Sequence, residues 1–245
     1  MARYATATDI INQTAIEVGL TPDTDPVAST DVQFVQLTGL LNAAGQELAE
    51  MNGWQALREV YEFTTQDGDS GVYDLPSGFS YMIDQTGWDM TNTVPIGGPL
   101  SPQIWSYLLG RDLVSQPIYA SFRLVDGTFN LFPQPPPVGI LVRFEYISRN
   151  WVLEAGPAGT RTDKVSVGSD TVLYEPRVII NFLKVKWLDA KGFPSDAARM
   201  DFDNIYSGRV GRDKGAPVLN AGGGVRWPPY LNGWYNVPDS GYGGA

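Results

Sequence analysis

The first residues of the chain repeat apolar side chains at the three- and four-residue spacing of an α-helix. Ile10, Ile11 and Val18 fall on one side of a helix expected over residues 8–18. Gly19 follows directly, and glycine is the usual residue just beyond a helix end. The chain is therefore expected to begin with a short amphipathic helix.

A second and longer apolar stripe follows a loop that contains two prolines. Its members recur at helical spacing: Phe34, Leu37, Leu41, Ala44, Leu48 and Met51. Ser29 or Thr30 is expected to cap the start of this helix, because a hydroxyl side chain can accept from the free backbone N–H groups there. Gly39 and Gly45 lie within the stripe and predict a close approach by a neighbouring helix.

From Trp54 onward apolar and polar residues alternate, which is the two-residue period of β-strands. The alternation is clear over residues 60–64, 120–125 and 141–146. The dipeptide Asp126-Gly127 lies between two alternating runs, and such a pair favours a two-residue hairpin turn. This middle part of the chain is therefore expected to form antiparallel sheet.

Three further helices are predicted from local signals. Ser101 caps a short one that interrupts the sheet, and three of its side chains are expected to face inward: Ile104, Trp105 and Leu108. Helical spacing then returns after Pro176 and stops at Gly192. A last helix is expected from Ser195, with Ala198, Phe202 and Ile205 on one face.

This order of elements predicts an α+β protein in which both chain ends build a helical bundle around an inserted antiparallel β domain. Residues 1–54 and 171–210 supply the bundle, and residues 55–170 form the β domain. Residues 211–245 are expected to be an extended C-terminal arm. No internal repeat is visible.

The C-terminal arm combines many glycines and prolines with large aromatic side chains. Flexible linkers are poor in aromatic residues, so this composition favours a segment that becomes ordered against a partner. Aromatic side chains on a proline-stiffened backbone lose little conformational entropy on binding. The candidate docking residues are Trp227, Tyr230, Trp234, Tyr235 and Tyr242.

The composition is acidic and lacks both cysteine and histidine. Net charge is −10, and it is uneven: residues 1–54 and 55–170 each carry −6, whereas residues 171–214 carry +2. An acidic chain is unsuited to tight phosphate binding, so DNA is expected to pass nearby without specific binding. The start of the chain lacks an apolar signal region and no apolar run is long enough for a membrane span, which predicts synthesis in the host cytoplasm and no membrane partner.

The sequence contains few residue patterns that indicate catalysis. Gly68-Asp69-Ser70-Gly71 spells a protease-like nucleophile motif, but the chain has no histidine to act as its base, so a turn is expected. Four carboxylate pairs read more simply as solvated acids: Asp23/Asp25, Asp67/Asp69, Glu59/Glu62 and Asp201/Asp203. No catalytic residue, metal site or cofactor is predicted.

The order of several short motifs resembles that of head-to-tail adaptor proteins of tailed phages, the group that includes tail tubular A and head-completion proteins. The motifs are Ala5-Thr6-Ala7-Thr8-Asp9-Ile10-Ile11-Asn12, Glu50-Met51-Asn52-Gly53-Trp54, Tyr73-Asp74-Leu75-Pro76-Ser77-Gly78-Phe79, Gly87-Trp88-Asp89-Met90-Thr91-Asn92, the hairpin from Phe122 to Pro133, and Phe144-Glu145-Tyr146-Ile147-Ser148 followed by Trp151-Val152. The resemblance covers residues 6 to about 210. No single motif carries it.

The resemblance implies a structural protein of the virion neck. Such a protein forms a ring of identical subunits, twelve in number, between the portal protein and a tail or nozzle protein. DNA passes through its lumen, and the C-terminal arm docks between portal subunits. The family has no shared catalytic residues to transfer.

Two other functions remain open from the residues. Exposed aromatic side chains of a β module can stack on sugars, and Trp88, Trp105 and Trp151 would be the candidates for a carbohydrate-binding module. A carboxylate-based cell-wall hydrolase of the phage tail is the third hypothesis. The three tryptophans lie at predicted strand edges and in an amphipathic helix, where burial in the core is more common. Mixing the pure protein with glycans and with peptidoglycan tests both hypotheses.

Overall fold

The computed structural model describes residues 4–110, 121–156 and 159–213. These residues form two compact units: a helical unit of residues 4–58 and 147–213, and a β unit of residues 59–146. The α+β class predicted from the sequence is confirmed. Residues 147–170 lie with the helices, whereas their sequence pattern groups them with the β domain. Their short strands belong to the sheet that includes the N-terminal strand.

Five α-helices occur in the described residues: α1 Ala7–Glu17, α2 Val32–Met51, α3 Pro102–Gly110, α4 Pro176–Lys191 and α5 Asp196–Asp213. A single 3₁₀ turn, Gln55–Leu57, follows α2. The strands are β1 Ala5–Thr6, β2 Arg58–Thr64, β3 Val72–Asp74, β4 Phe79–Met82, β5 Trp88–Asp89, β6 Val94–Pro95, β7 Ser121–Val125, β8 Thr128–Phe132, β9 Leu141–Ser148, β10 Val152–Leu153, β11 Arg161–Thr162 and β12 Thr171–Val172.

Side-chain caps set the helix boundaries in the helical unit. The Thr6 hydroxyl accepts from the N–H of Asp9 and opens α1. The expectation that Ser29 or Thr30 caps α2 is wrong: the carboxylate of Asp31 does so, accepting from the N–H of Gln33 at 2.8 Å. A carboxylate at this place also interacts favourably with the positive end of the helix dipole.

Helix α4 is the centre of the helical unit, because it packs against α1, α2 and α5. Its buried side chains surround the helix rather than forming one stripe: Val178, Ile179, Ile180, Asn181, Phe182, Leu183, Val185 and Trp187. A helix that is apolar on most sides is stable only when neighbours cover it. Gly192 ends α4 with φ of 73°, a left-handed conformation that glycine adopts without strain, which confirms the predicted stop.

The bases of the late helices pair with acids of the same unit. Lys184 lies 3.5 Å from Glu17 on α1, and Lys186 lies 2.6 Å from Glu47 on α2. The excess of basic residues late in the sequence thus forms ion pairs within one subunit, where α4 lies against the acidic N-terminal helices.

At Gly45 the backbone of α2 is in close contact with a side chain from outside the helices. A Cβ atom at Gly45 would overlap the indole ring of Trp151, and the ring of Trp151 stacks on Tyr174 with centroids 5.9 Å apart. The Tyr174 hydroxyl donates to the carbonyl oxygen of Gly45 at 2.8 Å. Gly39, in contrast, faces open space. The close neighbour of α2 at Gly45 is therefore the ring of Trp151 and not the helix expected from the sequence.

A small antiparallel sheet, in the order β1-β12-β10-β11, joins the chain start to the region after residue 147. The buried carboxylate of Asp170 organises the loop beside it. It accepts from the N–H groups of Ala155, Ser166 and Val167 at 3.1, 2.9 and 2.8 Å, and from the Ser166 hydroxyl at 3.2 Å. Burial alone would raise the pKa of Asp170, but these donors outweigh it and the pKa is lowered.

The β unit consists of two antiparallel sheets around an aromatic core. One sheet has the order β2-β9-β5-β6, with β4 also paired to β9, and the other has the order β3-β8-β7. Phe129 stacks on Phe122 at 4.7 Å and on Phe144 at 5.3 Å between ring centroids, which joins the two sheets. The buried core residues are Met82, Ile96, Phe122, Phe129, Leu131, Ile140, Val142, Phe144 and Tyr146.

The predicted hairpin is confirmed. Strands β7 and β8 pair from Ser121↔Phe132 to Val125↔Thr128 around a two-residue loop. Asp126 and Gly127 have φ of 47° and 73°, and two positive values are what the tight turn between twisted strands requires.

Candidate interaction surfaces

The predicted docking residues Trp227, Tyr230, Trp234, Tyr235 and Tyr242 lie outside the described residues. The last described residue before the arm, Asp213, is anchored to the helical unit. The N–H of Gln55 donates to the Asp213 carboxylate at 2.9 Å, and the Gln55 side-chain amide donates to the Asp213 carbonyl oxygen. Residues 211–213, expected to begin the arm, belong to α5. The arm thus starts from a fixed point of the helical unit.

A small polar groove of about 160 Å³ lies at this end of α5. Trp54 forms its base, making edge contacts with Tyr174 at 5.8 Å and Tyr206 at 5.9 Å between ring centroids. Arg209 lines the groove and pairs with Glu175 at 2.9 Å. Arg212 also lines the groove. The guanidinium of Arg209 is paired within the subunit and helps to anchor α5.

The same holds for Arg199, which pairs with Asp189 at 2.5 Å. The charge distribution predicts that Arg199, Arg209 and Arg212 face acidic surfaces of neighbouring proteins. Arg199 and Arg209 each have an acidic partner in their own subunit, on α4 and on the residue before it, and contacts with a neighbour stay a prediction.

The carboxylate pairs have structural roles. Asp69 accepts from the N–H of Gln66 at 2.6 Å and from the Tyr73 hydroxyl at 3.0 Å, which closes the turn that resembles a protease motif. Burial and the neighbouring Asp69 carboxylate raise the pKa of Tyr73, so its hydroxyl remains a donor. Glu59 accepts from the Tyr146 hydroxyl at 2.6 Å.

The first pair is equally local. The Asp25 carboxylate accepts from the N–H of Ala28, and the Ser29 hydroxyl lowers the pKa of Asp23. Within the described ranges no group of three or more acids is placed to hold a metal ion. These contacts place Asp23, Asp25 and Asp69 in turns and Glu59 in a contact between two strands.

The three tryptophans that were candidates for stacking on sugars differ in how deeply they are buried. Trp151 is fully buried and Trp105 is 7% exposed, so both belong to cores. Trp88 is 37% exposed and lies on the outer face of a sheet. Two of the three candidates are therefore excluded as stacking platforms.

Trp88 belongs to a surface that we call the outer sheet face: Val60, Glu62, Trp88, Met90 and Arg143. Trp88 pairs with Arg143 across β5 and β9 and with Pro95 across β5 and β6. The Arg143 guanidinium lies 3.4 Å from the Glu62 carboxylate on β2. Each of the five side chains is exposed, because the alternate residues of the same strands fill the core.

A shallow groove of about 490 Å³ lies on this face. Its lining includes two large apolar side chains, Trp88 and Met90, and two charged ones, Arg143 and Glu145. Exposed aromatic and methionine side chains beside an arginine are the composition of protein interaction sites.

A second apolar surface is helix α3, which has no charged residue. Trp105 alone of its side chains is buried, in an edge contact with Phe132 at 6.1 Å between ring centroids. Ile104 and Tyr107 are 50% and 54% exposed, and Leu108 is half-buried. The expectation that Ile104 faces inward is wrong: of the large side chains of α3 only Trp105 is buried, and Ile104 points away from its contact with Phe132.

Sequence reasoning missed both surfaces for the same reason. Alternation in Gly87-Trp88-Asp89-Met90 places Trp88 and Met90 on one face, but does not say which face the core occupies. Helix α3 is apolar on nearly all sides, so its spacing indicates no exposed side.

Each of the two units has a packed core and displays apolar side chains on its surface. The family model described as SU10 adaptor protein matches residues 5–215. The chain belongs to this family, and it is a phage adaptor-type protein, a structural rather than an enzymatic kind. No curated protein is similar enough in sequence to be matched. Among the described residues no helix is both long and apolar enough to cross a membrane.

Proposed function

We propose that this adaptor forms a ring of identical subunits, twelve in number, between the portal protein and a tail or nozzle protein in the neck of the virion. Membership of the adaptor family over residues 5–215 is the observation that carries the proposal. An adaptor contacts other virion proteins, and the exposed apolar side chains of the β unit are suited to such contacts.

The lumen of the ring forms part of the channel through which DNA leaves the head. The net charge of −10 supports this role, because an acidic wall repels the DNA backbone and keeps it mobile. A basic lining would hold DNA by counterion release. Acids of residues 1–170 are proposed to line the channel, and the isolated protein is expected to bind DNA only weakly at physiological salt.

The C-terminal arm is proposed to dock on the portal through Trp227, Tyr230, Trp234, Tyr235 and Tyr242. It continues from Asp213, which Gln55 fixes to the helical unit. The 32 residues beyond Asp213 reach at most about 105 Å when extended, which is enough to cross an adjacent subunit. An aromatic side chain buries roughly 150–250 Å², and five of them offset the entropy that a glycine-rich segment loses on ordering.

Co-expression with the portal protein of the same phage tests the ring and the arm together. The full chain is expected to be mostly monomeric alone and to co-purify with the portal as a ring visible by electron cryo-microscopy. A chain that ends at Asp213 is expected to keep its melting temperature and to lose the portal. Replacing the five aromatic residues of the arm by serine is the matched control, since it preserves the length of the arm.

The outcomes separate the two claims. A full chain that forms no ring and is absent from the neck of the virion would contradict the adaptor role. Equal portal binding by the full and shortened chains would contradict the arm assignment alone.

A further inference from the structure

The β unit displays two different apolar surfaces, one beside each of its sheets. Phe144 points into the core, so its neighbour Arg143 and the paired Trp88 point outward from the first sheet. Phe129 points into the core from the second sheet, so Phe132, three residues further on, points outward. Trp105 contacts Phe132, so α3 lies beside the end of β8 in that second sheet.

A contact between two different surfaces of one unit is head-to-tail. Repeated by a rotation that closes, such a contact builds a ring, whereas a contact of one surface with itself stops at a dimer. We infer that adjacent subunits of the ring associate by docking helix α3 of one copy into the Trp88–Met90 groove of the next. This inference rests on the proposed ring and names the contact that would build it.

The chemistry of the two surfaces is complementary. Ile104, Tyr107 and Leu108 are spaced at three and four residues, the pattern by which a helix lays an apolar side into a groove. The groove offers Trp88 and Met90 and about 490 Å³ of space. This space lies within the range of about 300–1,000 Å³ that is usual for binding pockets.

Charge favours the same pairing. Helix α3 carries no charged residue, so its docking buries no unpaired charge from the helix. Arg143 already has Glu62 as a partner at 3.4 Å, so a helix over Trp88 does not need to neutralise it. A charged or strongly polar occupant would instead leave the exposed apolar side chains of both surfaces uncovered.

The two surfaces alone are small compared with a stable interface. A specific interface buries about 1,200–2,000 Å² in total, so α3 and the groove are its anchoring centre and not the whole contact. A weak contact between free subunits agrees with a chain that is monomeric until the portal holds neighbouring copies together.

Disulfide trapping tests this contact directly, because the chain has no cysteine of its own. Ile104→Cys and Met90→Cys are prepared as separate full-length proteins, at two exposed positions where substitution leaves the cores intact. They are mixed at high concentration and oxidised. The mixture is expected to give severalfold more covalent heterodimer than either protein alone gives homodimer. The double variant is expected to give a ladder of multimers.

Val72→Cys is the matched control for Ile104→Cys, since Val72 is exposed to a similar degree on the second sheet but lies outside α3. Mixed with Met90→Cys, it is expected to give only background dimer. Equal trapping of the test and control pairs would overturn the inference, and so would homodimers of each single variant. If the portal complex contains a ring in which the Ile104/Met90 pair is not trapped, α3 binds the portal or tail protein, and the adaptor role stands while this contact does not.

Discussion

Replacing Gly45 by alanine is expected to destabilise the helical unit, although alanine is the better helix former. The added methyl group would meet the ring of Trp151, with the Cη2 atom only 2.5 Å from the new Cβ. Trp151 is fully buried and stacked on Tyr174, so the ring has no free space into which to move. The same change at Gly39, in the same helix, meets no atom within 4 Å.

The energies of overpacking and of helix propensity decide whether each glycine-to-alanine change stabilises or destabilises the unit. Overfilling a core costs about 1–3 kcal/mol, and so close an overlap is expected at the upper end. The gain in helix propensity from glycine to alanine is about 1 kcal/mol. Gly45→Ala is therefore expected to lose about 2 kcal/mol in free energy of unfolding, whereas Gly39→Ala gains up to about 1 kcal/mol.

Thermal unfolding followed by circular dichroism at a helix band measures both variants. A unit of this size shifts its melting temperature by roughly 4 °C per kcal/mol, so Gly45→Ala is expected to melt about 8 °C lower and Gly39→Ala slightly higher. In a Trp151→Phe background, which removes the overlapping ring atoms, the cost of Gly45→Ala is expected to fall. A Gly45→Ala protein that melts at or above the unchanged protein would refute this packing argument.

Two further predictions follow from the carboxylates. Asp170→Asn places an amide N–H₂ among backbone donors and is expected to cost about 1.5–3 kcal/mol. Because folding lowers the pKa of Asp170, the stability that its carboxylate contributes is complete above the ordinary pKa of about 3.9 and is lost as pH falls below that value. Denaturation at pH 3 and at pH 6 measures this difference in the free energy of unfolding. An unchanged pH dependence in Asp170→Asn would contradict the assignment. The protein is also expected to show no lytic band on cell-wall zymograms, and lysis that disappears in Asp69→Asn while the fold survives would contradict the structural role.

Elements that depend on neighbouring residues were predictable from the sequence. The apolar stripe of α2 and the Asp126-Gly127 hairpin were both found, because helix spacing and turn chemistry act over a few residues. The exact start of a helix is harder to predict. Ser29 or Thr30 was expected to cap α2, but the helix begins at Val32 and the adjacent Asp31 caps it.

Side-chain exposure needed the tertiary structure. Trp88 and Trp151 both lie in or near short strands. Trp88 is exposed on the outer sheet face, whereas Trp151 is buried against Gly45. The partner of Trp151 is Gly45, more than a hundred positions earlier, and no local pattern joins them. The outward turn of Ile104 likewise depends on where Phe132 lies.

The sequence by itself determined the α+β class, the acidic character and the absence of cysteine and histidine chemistry, since these follow from composition and short-range periodicity. The tertiary structure decided which apolar residues are core and which are displayed. Amphipathic patterns specify that a side is apolar, but long-range packing selects the neighbour that covers it. For this adaptor, the apolar side chains left uncovered on α3 and around Trp88 are the ones through which it is expected to assemble.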